Sequence, residues 1–215
     1  MNEPIRSWGQ ALAYEKSQQA LADILYKEIW PNKNIRRPDF HANKHDRELQ
    51  EADVDVVVTD KEGWQNPWYI SEKFRTQPYN DVLIELWADY EHDKPGWAEL
   101  SIAHEHYFYH NSKTPFVRIV PTWAIKKMAR RFKEEFGAVI AEMYKAGDRA
   151  RAINLGSSEI ILRFVPTKKK DRVLYNGVCA IIPLEVLGYF NANEKIIDLC
   201  SQEKKLLKQE SSQDL

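Results

Sequence analysis

The chain has 215 residues, 43% of them hydrophobic, so it is long enough to bury one sizeable core. Its 31 basic and 32 acidic side chains give a formal net charge of −1, which excludes a global electrostatic attraction to nucleic acid or to a membrane. We expect a single domain over residues 1–200 and a polar C-terminal tail over residues 201–215.

The cysteines and the N-terminal stretch bear on the compartment. Cys179 and Cys200 have neither metal-ligand spacing nor the number needed for a disulfide framework. The start, MNEPIRSWGQ, lacks the apolar core of a signal peptide, and no stretch approaches the roughly 18 apolar residues that cross a bilayer. These features predict a cytoplasmic protein without a membrane partner.

A helix is predicted at the start of the chain, followed by a loop. Helical apolar periodicity runs from Trp8 to about Trp30, where Pro31 stops it. The residues near one stripe are Ala11, Ala22, Leu25 and Ile29. Glu15 falls within the apolar stripe, so its carboxylate is expected at the interior or at its edge. The polar, proline-bounded segment 31–52 is interpreted as a long loop.

Alternating residues next predict a β-hairpin. The stretch Asp53 to Thr59 has the period of a strand, DKEG supplies a turn, and Trp68 to Arg75 returns antiparallel. The apolar run Val82 to Trp87 is expected to continue the same sheet.

The second half of the chain predicts further strands and a long helix. Strands are indicated by IAHEHYFYH, FVRIVP and SSEIILRFVP, and a helix follows Pro121 with apolar positions at Trp123, Met128, Phe132, Phe136 and Ile140. VCAIIPLEVLGYF repeats the strand, proline, helix order, and EKKLLKQESSQDL is expected to extend a helix and then fray. The order predicts an α/β or α+β fold with a mixed sheet.

The hairpin carries the chemistry. Asp53, Asp55 and Glu72 lie beside Lys73 and Arg75. Carboxylates brought together raise one another's pKa unless a cation neutralises them, and Mg²⁺ prefers such hard oxygen ligands. A nearby lysine can stabilise charge on a phosphate, so the pattern points to phosphoryl chemistry.

This grouping resembles the core of the PD-(D/E)xK nuclease superfamily, in which an acid on one strand is followed by an acid, any residue and lysine on the next. Asp55 matches the first acid, Lys73 the lysine, and Glu15 the additional helix acid of many members. The stretches EKFRTQPYNDVLIELW, PGW and VPTWAIKKM are further similar to a phage- and bacteria-associated branch of that superfamily. The resemblance covers about residues 8–135.

One position departs from the pattern. Ser71 stands two residues before Lys73, and Glu72 immediately precedes the lysine. Strict pleating places Ser71, Lys73 and Arg75 on one face and Ile70 and Glu72 on the other. Three alternatives stay open: a β-bulge rotates Glu72 toward the site, Ser71 contributes through a water, or the metal site is degenerate.

The resemblance implies a restriction-endonuclease-like core, with a central mixed β-sheet flanked by helices, that hydrolyses DNA phosphodiester bonds with Mg²⁺ or Mn²⁺. Asp55 and Glu72 would hold the metal, Lys73 would position the attacking water, and Glu15 would support a second metal. The alternative is a catalytically degenerate nuclease-fold protein that binds nucleic acid or a protein partner. An assembly component with an aromatic interface is a third class.

Two other patterns each allow two interpretations. His104, His106 and His110 share a parity on one predicted strand, which is compatible with zinc ligation or with a solvated polar face. The basic runs IKKMARRFK and KKKDR are compatible with phosphate contacts or with an ordinary solvated surface.

Overall fold

A computed structural model of the chain describes residues 8–61, 63–75, 81–110, 116–169, 172–183, 186 and 195–198. The elements in these ranges are α1 (Trp8–Ile29), β1 (Lys33–Arg36), α2 (Lys44–Glu51), β2 (Val56–Asp60), β3 (Gly63–Arg75), β4 (Asp81–Asp89), β5 (Lys94–Pro95), α3 (Trp97–Leu100), β6 (Glu105–His110), β7 (Phe116–Pro121), α4 (Thr122–Ala146), β8 (Ala150–Leu155), β9 (Ser158–Lys169), β10 (Arg172–Pro183) and β11 (Lys195–Asp198). The predicted C-terminal tail, Cys200 and the helix expected after Pro183 lie outside the described residues. No described helix has the length and apolar character needed to cross a membrane.

The strands form two sheets. The first has the order β1-β2-β3-β6-β7-β11 and is mixed, because β3 and β6 run parallel while its other neighbours are antiparallel. The second is antiparallel, with the order β5-β4-β10-β9-β8. The α+β class and the mixed sheet are confirmed.

The place of β4 differs from the prediction. Val82 to Trp87 were expected to continue the hairpin sheet, but β4 pairs with β10 and β5 in the second sheet. The reason is the parallel pairing of β3 with β6, which requires a long crossover between them. β4, β5 and α3 make up the described part of that crossover, so β4 is not the neighbour of β3.

The segment 31–52 was predicted as a loop, and this is wrong. It contains β1, which pairs with β2, and the short helix α2. Asn43 caps α2 by accepting a hydrogen bond from the Asp46 N–H at 2.9 Å, and the Asp46 carboxylate accepts one from Arg36 of β1 at 2.8 Å. Because α2 buries only Asp46 and Leu49, its composition does not show helical apolar periodicity.

Helix α1 covers one face of the first sheet. Ala22, Leu25 and Tyr26 are buried against strand residues that include Val56 and Ile70. The predicted apolar stripe is therefore confirmed at Ala22 and Leu25. The side chain of Ala11, also placed on that stripe, lies outside the described part of the chain.

The opposite face of the first sheet shares a core with α4 and the second sheet. The α4 residues Met128, Phe132, Phe136 and Ile140 are buried in this core, as predicted. Trp123, which was also predicted to be buried, is 54% exposed because its helical position lies on the side of α4 opposite to these core residues. Phe108 and Val120 of the first sheet complete the contact with α4.

Candidate functional site

The site begins at the end of α2, where the chain reverses into β2. The N–H of Asp53 bonds the carbonyl of Gln50 at 3.0 Å, and the N–H of Val54 bonds the carbonyl of Leu49 at 2.9 Å. Leu49 and Val54 also pack together. This is a Schellman motif, in which the residue after the cap takes a left-handed conformation that glycine usually supplies.

Asp53 occupies that left-handed position, with a φ of 63°. Aspartate tolerates this conformation better than most residues, but it still costs about 1 kcal/mol relative to glycine. Unusual backbone conformations of this kind concentrate at functional sites. The Asp53 carboxylate is therefore a candidate functional group.

The Asp53 carboxylate is held by two basic side chains, Lys73 and His106. Lys73 Nζ donates to its Oδ1 at 2.5 Å, and His106 Nε2 lies 3.0 Å from its Oδ2. Burial alone would raise the pKa of Asp53, but Lys73 and His106 lower it to about 2. The carboxylate is therefore ionised throughout the physiological pH range.

Asp55 lies on the same face of the first sheet as Asp53, directly before β2. Its Oδ2 accepts hydrogen bonds from the N–H of Glu72 at 2.7 Å and from the Ser71 hydroxyl at 3.4 Å. Burial and the neighbouring charge of Asp53 raise the pKa of Asp55, although Lys73 acts in the opposite direction. Burial, more than the charge of Asp53, therefore makes the ionised form of Asp55 costly.

Lys73 belongs to β3 of the first sheet, and Trp97, which is held against β4 of the second sheet, contacts its side chain. Its Nζ lies 4.6 Å from the ring centroid of Trp97, a cation–π distance. Burial alone would lower its pKa, but the charges of Asp53 and Asp55 raise it, so the side chain is an ammonium ion at neutral pH. It keeps 24% of its side-chain surface exposed, which leaves it accessible to a ligand.

The PGW stretch fixes Trp97 in this position. The Trp97 N–H donates to the Glu85 carboxylate of β4 at 3.0 Å. A Cβ on Gly96 would lie 2.2 Å from the Glu85 carbonyl oxygen, so only glycine fits there. Burial raises the pKa of Glu85, and the Lys73 charge opposes that rise, which places this carboxyl within the electrostatic field of the site.

His106 connects Asp53 to the start of α4. Its side chain is fully buried, and its Nδ1 lies 3.0 Å from the hydroxyl of Thr122, the first residue of the helix. Burial lowers the pKa of His106, so the ring is neutral at neutral pH. A neutral ring that donates from Nε2 to Asp53 accepts at Nδ1 from Thr122, and these two partners fix its tautomer.

Glu72 belongs to the other face of the sheet. Its carboxylate accepts hydrogen bonds from Tyr26 at 2.8 Å and from the two terminal nitrogens of Arg37, with which it also forms an ion pair. Burial raises the pKa of Glu72 despite Arg37. Because adjacent strand residues point to opposite faces, Glu72 and Lys73 diverge.

The structure therefore brings Asp55 and Lys73 together and places the Glu72 side chain apart from them. No β-bulge rotates Glu72, since the register shift between β2 and β3 falls between Val58 and Asp60. Ser71 instead occupies the acid position and bonds Asp55 directly. Glu15 lies in α1, and its side chain is outside the described residues.

Asp53, His106, Thr122 and Glu85 complete the site. The sequence marks Asp53 as one of the hairpin acids but gives it no role, and no pattern assigns the other three to the site. For His106 the pattern suggests only zinc ligation or a solvated face. The solvated interpretation is wrong for His106, which is buried because β6 pairs with β3 opposite Ser71.

The histidine strand does not assemble a zinc site from its described side chains. His104 Nδ1 accepts a hydrogen bond from the N–H of Tyr69 at 3.0 Å, and both ring nitrogens of His106 already have partners. The side chain of His110 lies outside the described residues. Over the described ranges, no three His, Cys, Asp or Glu side chains are grouped so as to hold a metal ion.

Asp53 and Asp55 nevertheless supply the type of ligand that a hard divalent cation prefers. Mg²⁺ is held in many sites by one or two carboxylates, with waters and a phosphate supplying the other ligands. Burial, with a smaller contribution from the charge of Asp53, raises the pKa of Asp55. A cation bound beside this carboxylate would oppose that rise.

Comparison with known proteins gives no match of the chain to a protein-family model, to a curated protein or to a solved structure.

Proposed function

We propose that the chain is a metal-dependent nuclease that hydrolyses DNA phosphodiester bonds with Mg²⁺ or Mn²⁺. The observation that carries this proposal is the grouping of two aspartates and an ammonium ion on one face of the β2–β3 hairpin, with Lys73 2.5 Å from Asp53. The fold proposed with it is a restriction-endonuclease-like core. The mixed sheet and the α1 helix that covers it support that assignment.

The chain's own groups divide the work. Asp55 and Asp53 would hold the metal, which would polarise the phosphodiester and acidify a bound water. Lys73 carries a full positive charge and so does not act as a base. It binds the phosphate and stabilises the negative charge that develops on it.

His106 and Thr122 act on Asp53 rather than on the phosphate. Thr122 orients the imidazole through Nδ1, and Nε2 then holds the Oδ2 atom of Asp53, which leaves Oδ1 directed at Lys73. Trp97 excludes water from one side of the ammonium ion. The groups are thus oriented before any substrate binds.

The test is cleavage of single-stranded and duplex DNA with Mg²⁺ or Mn²⁺ by the wild type, Lys73→Ala and Asp55→Ala. We expect both variants to lose at least 10²-fold in rate, because each removes a group that stabilises the charged transition state. Equal cleavage by all three proteins would attribute the activity to contamination and end the proposal.

A second function is favoured by one observation. Ser71 replaces the second acid of the motif and donates its hydroxyl to Asp55. The absence of that acid favours a nuclease-fold protein that binds nucleic acid without cutting it. Retained DNA binding with no cleavage at any divalent cation concentration would select that alternative.

A further inference from the structure

The first two turns of α4 carry a second pattern beside the site. Trp123 is 54% exposed, an unusual exposure for so large an apolar side chain. Lys126, Lys127 and Arg130 follow it at spacings of three, four and seven residues. These spacings place all four on one side of the helix.

The three basic side chains of this group are free of carboxylate partners within the described ranges. Arg131 and Lys133, in contrast, pair with Glu135 and Glu99. The charge of Lys126, Lys127 and Arg130 is therefore available to an external anion. We call Trp123, Lys126, Lys127 and Arg130 the α4 platform.

Thr122, the residue before the platform, is linked to Asp53 by two hydrogen bonds through His106. Thr122, next to Trp123, lies 3.0 Å from His106, which lies 3.0 Å from Asp53. Ile102, whose side chain is exposed, lies beside the start of the site, because its N–H bonds the carbonyl of Ala52 at 3.0 Å. A strand of nucleic acid bound at Asp53 and Lys73 would thus extend across a surface that is both aromatic and basic.

A stacked aromatic pair lies near the start of α4. Trp68 stacks on His104 with a centroid separation of 4.3 Å, and both side chains are exposed. The carbonyl of His104 accepts the N–H of Thr122 at 3.0 Å. Thr122 is therefore followed in the chain by the exposed Trp123, and its backbone bonds a residue of the stacked pair.

From this arrangement we infer that the α4 platform binds single-stranded nucleic acid, with an unpaired base stacked on Trp123 and phosphates bound by Lys126, Lys127 and Arg130. Exposed aromatic side chains stack on bases only when the bases are unpaired, and basic residues beside them follow the backbone. A duplex offers phosphates but no free base face. The inference rests on the proposed function for the cleavage step and names its substrate class, single strands or frayed ends.

Binding is measurable without cleavage. Fluorescence anisotropy in EDTA, with a labelled oligothymidine of about 15 nucleotides and a blunt duplex of equal length as probes, reports the preference directly. We expect tighter binding of the single strand, and a loss of roughly 5- to 100-fold in Trp123→Ala. Tyr144→Ala, an aromatic residue that is 40% exposed near the other end of the same helix, is the matched control and should bind as the wild type does.

The salt dependence tests the basic residues. When a substitution removes one ion pair between the protein and a phosphate of a single strand, the slope of log K against log salt decreases in magnitude by about 0.7. We expect this decrease in Lys127→Gln and in Arg130→Gln, but not in Lys145→Gln at the end of the helix. Unchanged slopes in the first two variants would overturn the inference.

The outcomes separate the two proposals. Trp123-dependent binding of single strands without cleavage would keep the inference and reject the nuclease. Cleavage of duplex that Trp123→Ala leaves unchanged, with no preference for single strands, would reject the inference and keep the nuclease. Self-association that Trp123→Ala abolishes, in the absence of DNA binding, would also overturn the inference.

Discussion

Asp53 combines a left-handed backbone with a carboxylate that two neighbours hold in place. The helix end before it requires the conformation, and glycine would adopt it at lower cost. An aspartate at this position gives the turn a charge that Lys73 and His106 both use. The residue therefore links the local geometry of the chain to the chemistry of the site.

Asp53→Asn should separate the effect of the charge from the effect of the backbone conformation, since asparagine also tolerates the left-handed region. We expect a loss of about 2 kcal/mol in the free energy of unfolding at pH 7, because the depressed pKa of Asp53 reflects a stabilisation that the amide cannot supply. This stabilisation is fully present above the unfolded pKa of about 3.9 and disappears as the pH falls through about 2.

Urea unfolding of both proteins between pH 2 and pH 7 measures the effect. Asp53→Gly, which loses the carboxylate but relaxes the backbone, is the control and should be more stable than Asp53→Ala by about 1 kcal/mol. A constant difference between wild type and Asp53→Asn across this pH range would contradict the account.

His106 should give the protein a second pH dependence, nearer neutrality. Its folded pKa lies below the ordinary value of 6.5 because burial disfavours the imidazolium. The unfolded chain therefore binds a proton first, and stability decreases as the pH falls below about 6.5. Asp53, Asp55 and Lys73 face this ring electrostatically, while Thr122 and Trp97 contact it.

His106→Gln should remove this contribution while its amide can still donate to Asp53. The stability difference between wild type and variant, measured by urea unfolding at pH 5 and pH 7, is expected to be smaller at pH 5. The comparison cancels the carboxyl groups Asp55, Glu72 and Glu85, whose raised pKa values act in the other direction over this range. An identical difference at the two pH values would show that His106 does not titrate as described.

At the scale of elements, the β4–β5–α3 segment is a cover for the lysine side of the hairpin. Gly96 packs against the backbone of β4 and thereby places Trp97 over Lys73. The cover comes from the second sheet, whereas the aspartates and the lysine come from the first. The site exists only where the two sheets meet.

Gly96→Ala tests this packing. A methyl group there would lie 2.2 Å from the Glu85 carbonyl oxygen, so the segment must shift, at a cost of about 1–3 kcal/mol in unfolding free energy. Gly137→Ala, within α4 and with nothing within 4 Å of the added Cβ, should instead stabilise the protein by about 0.5–1 kcal/mol. Thermal unfolding of the two variants gives the comparison, and equal midpoints would contradict the packing described for Gly96.

The strands and helices with strong periodicity could be predicted from the sequence, and the parallel pairing could not. α1, α4 and the β2–β3 hairpin follow from local patterns. The partner of β3 is set by a crossover whose described part runs through β4, β5 and α3, and no local signal encodes it. The same long-range pairing explains why β4 could not be assigned to its sheet.

The site residues on the hairpin could likewise be predicted from local patterns, and those set by long-range pairing could not. Asp55 and Lys73 could be proposed because a hairpin fixes their common face. Glu72 could be separated from Lys73 by strand alternation alone, but its partners Tyr26 and Arg37 come from α1 and from the segment after β1. His106 and Thr122 could not be assigned to Asp53 without knowing that β6 lies beside β3.

At the scale of the whole molecule, the first sheet carries ionic clusters on opposite faces. Glu72, Arg37, Asp23 and Tyr26 join α1 to the sheet and form a structural cluster. The other face carries the aspartates and Lys73, where the second sheet and α4 converge. We propose that only this second cluster binds a catalytic cation.

Titration with Mn²⁺, followed by electron paramagnetic resonance of the free ion, tests that claim most directly in the wild type, Asp55→Asn and Glu72→Gln. We predict that the wild type and Glu72→Gln bind Mn²⁺ with the same affinity, and that Asp55→Asn, although folded by circular dichroism, loses at least 10-fold. Loss of Mn²⁺ binding in folded Glu72→Gln, with binding retained in Asp55→Asn, would contradict the account.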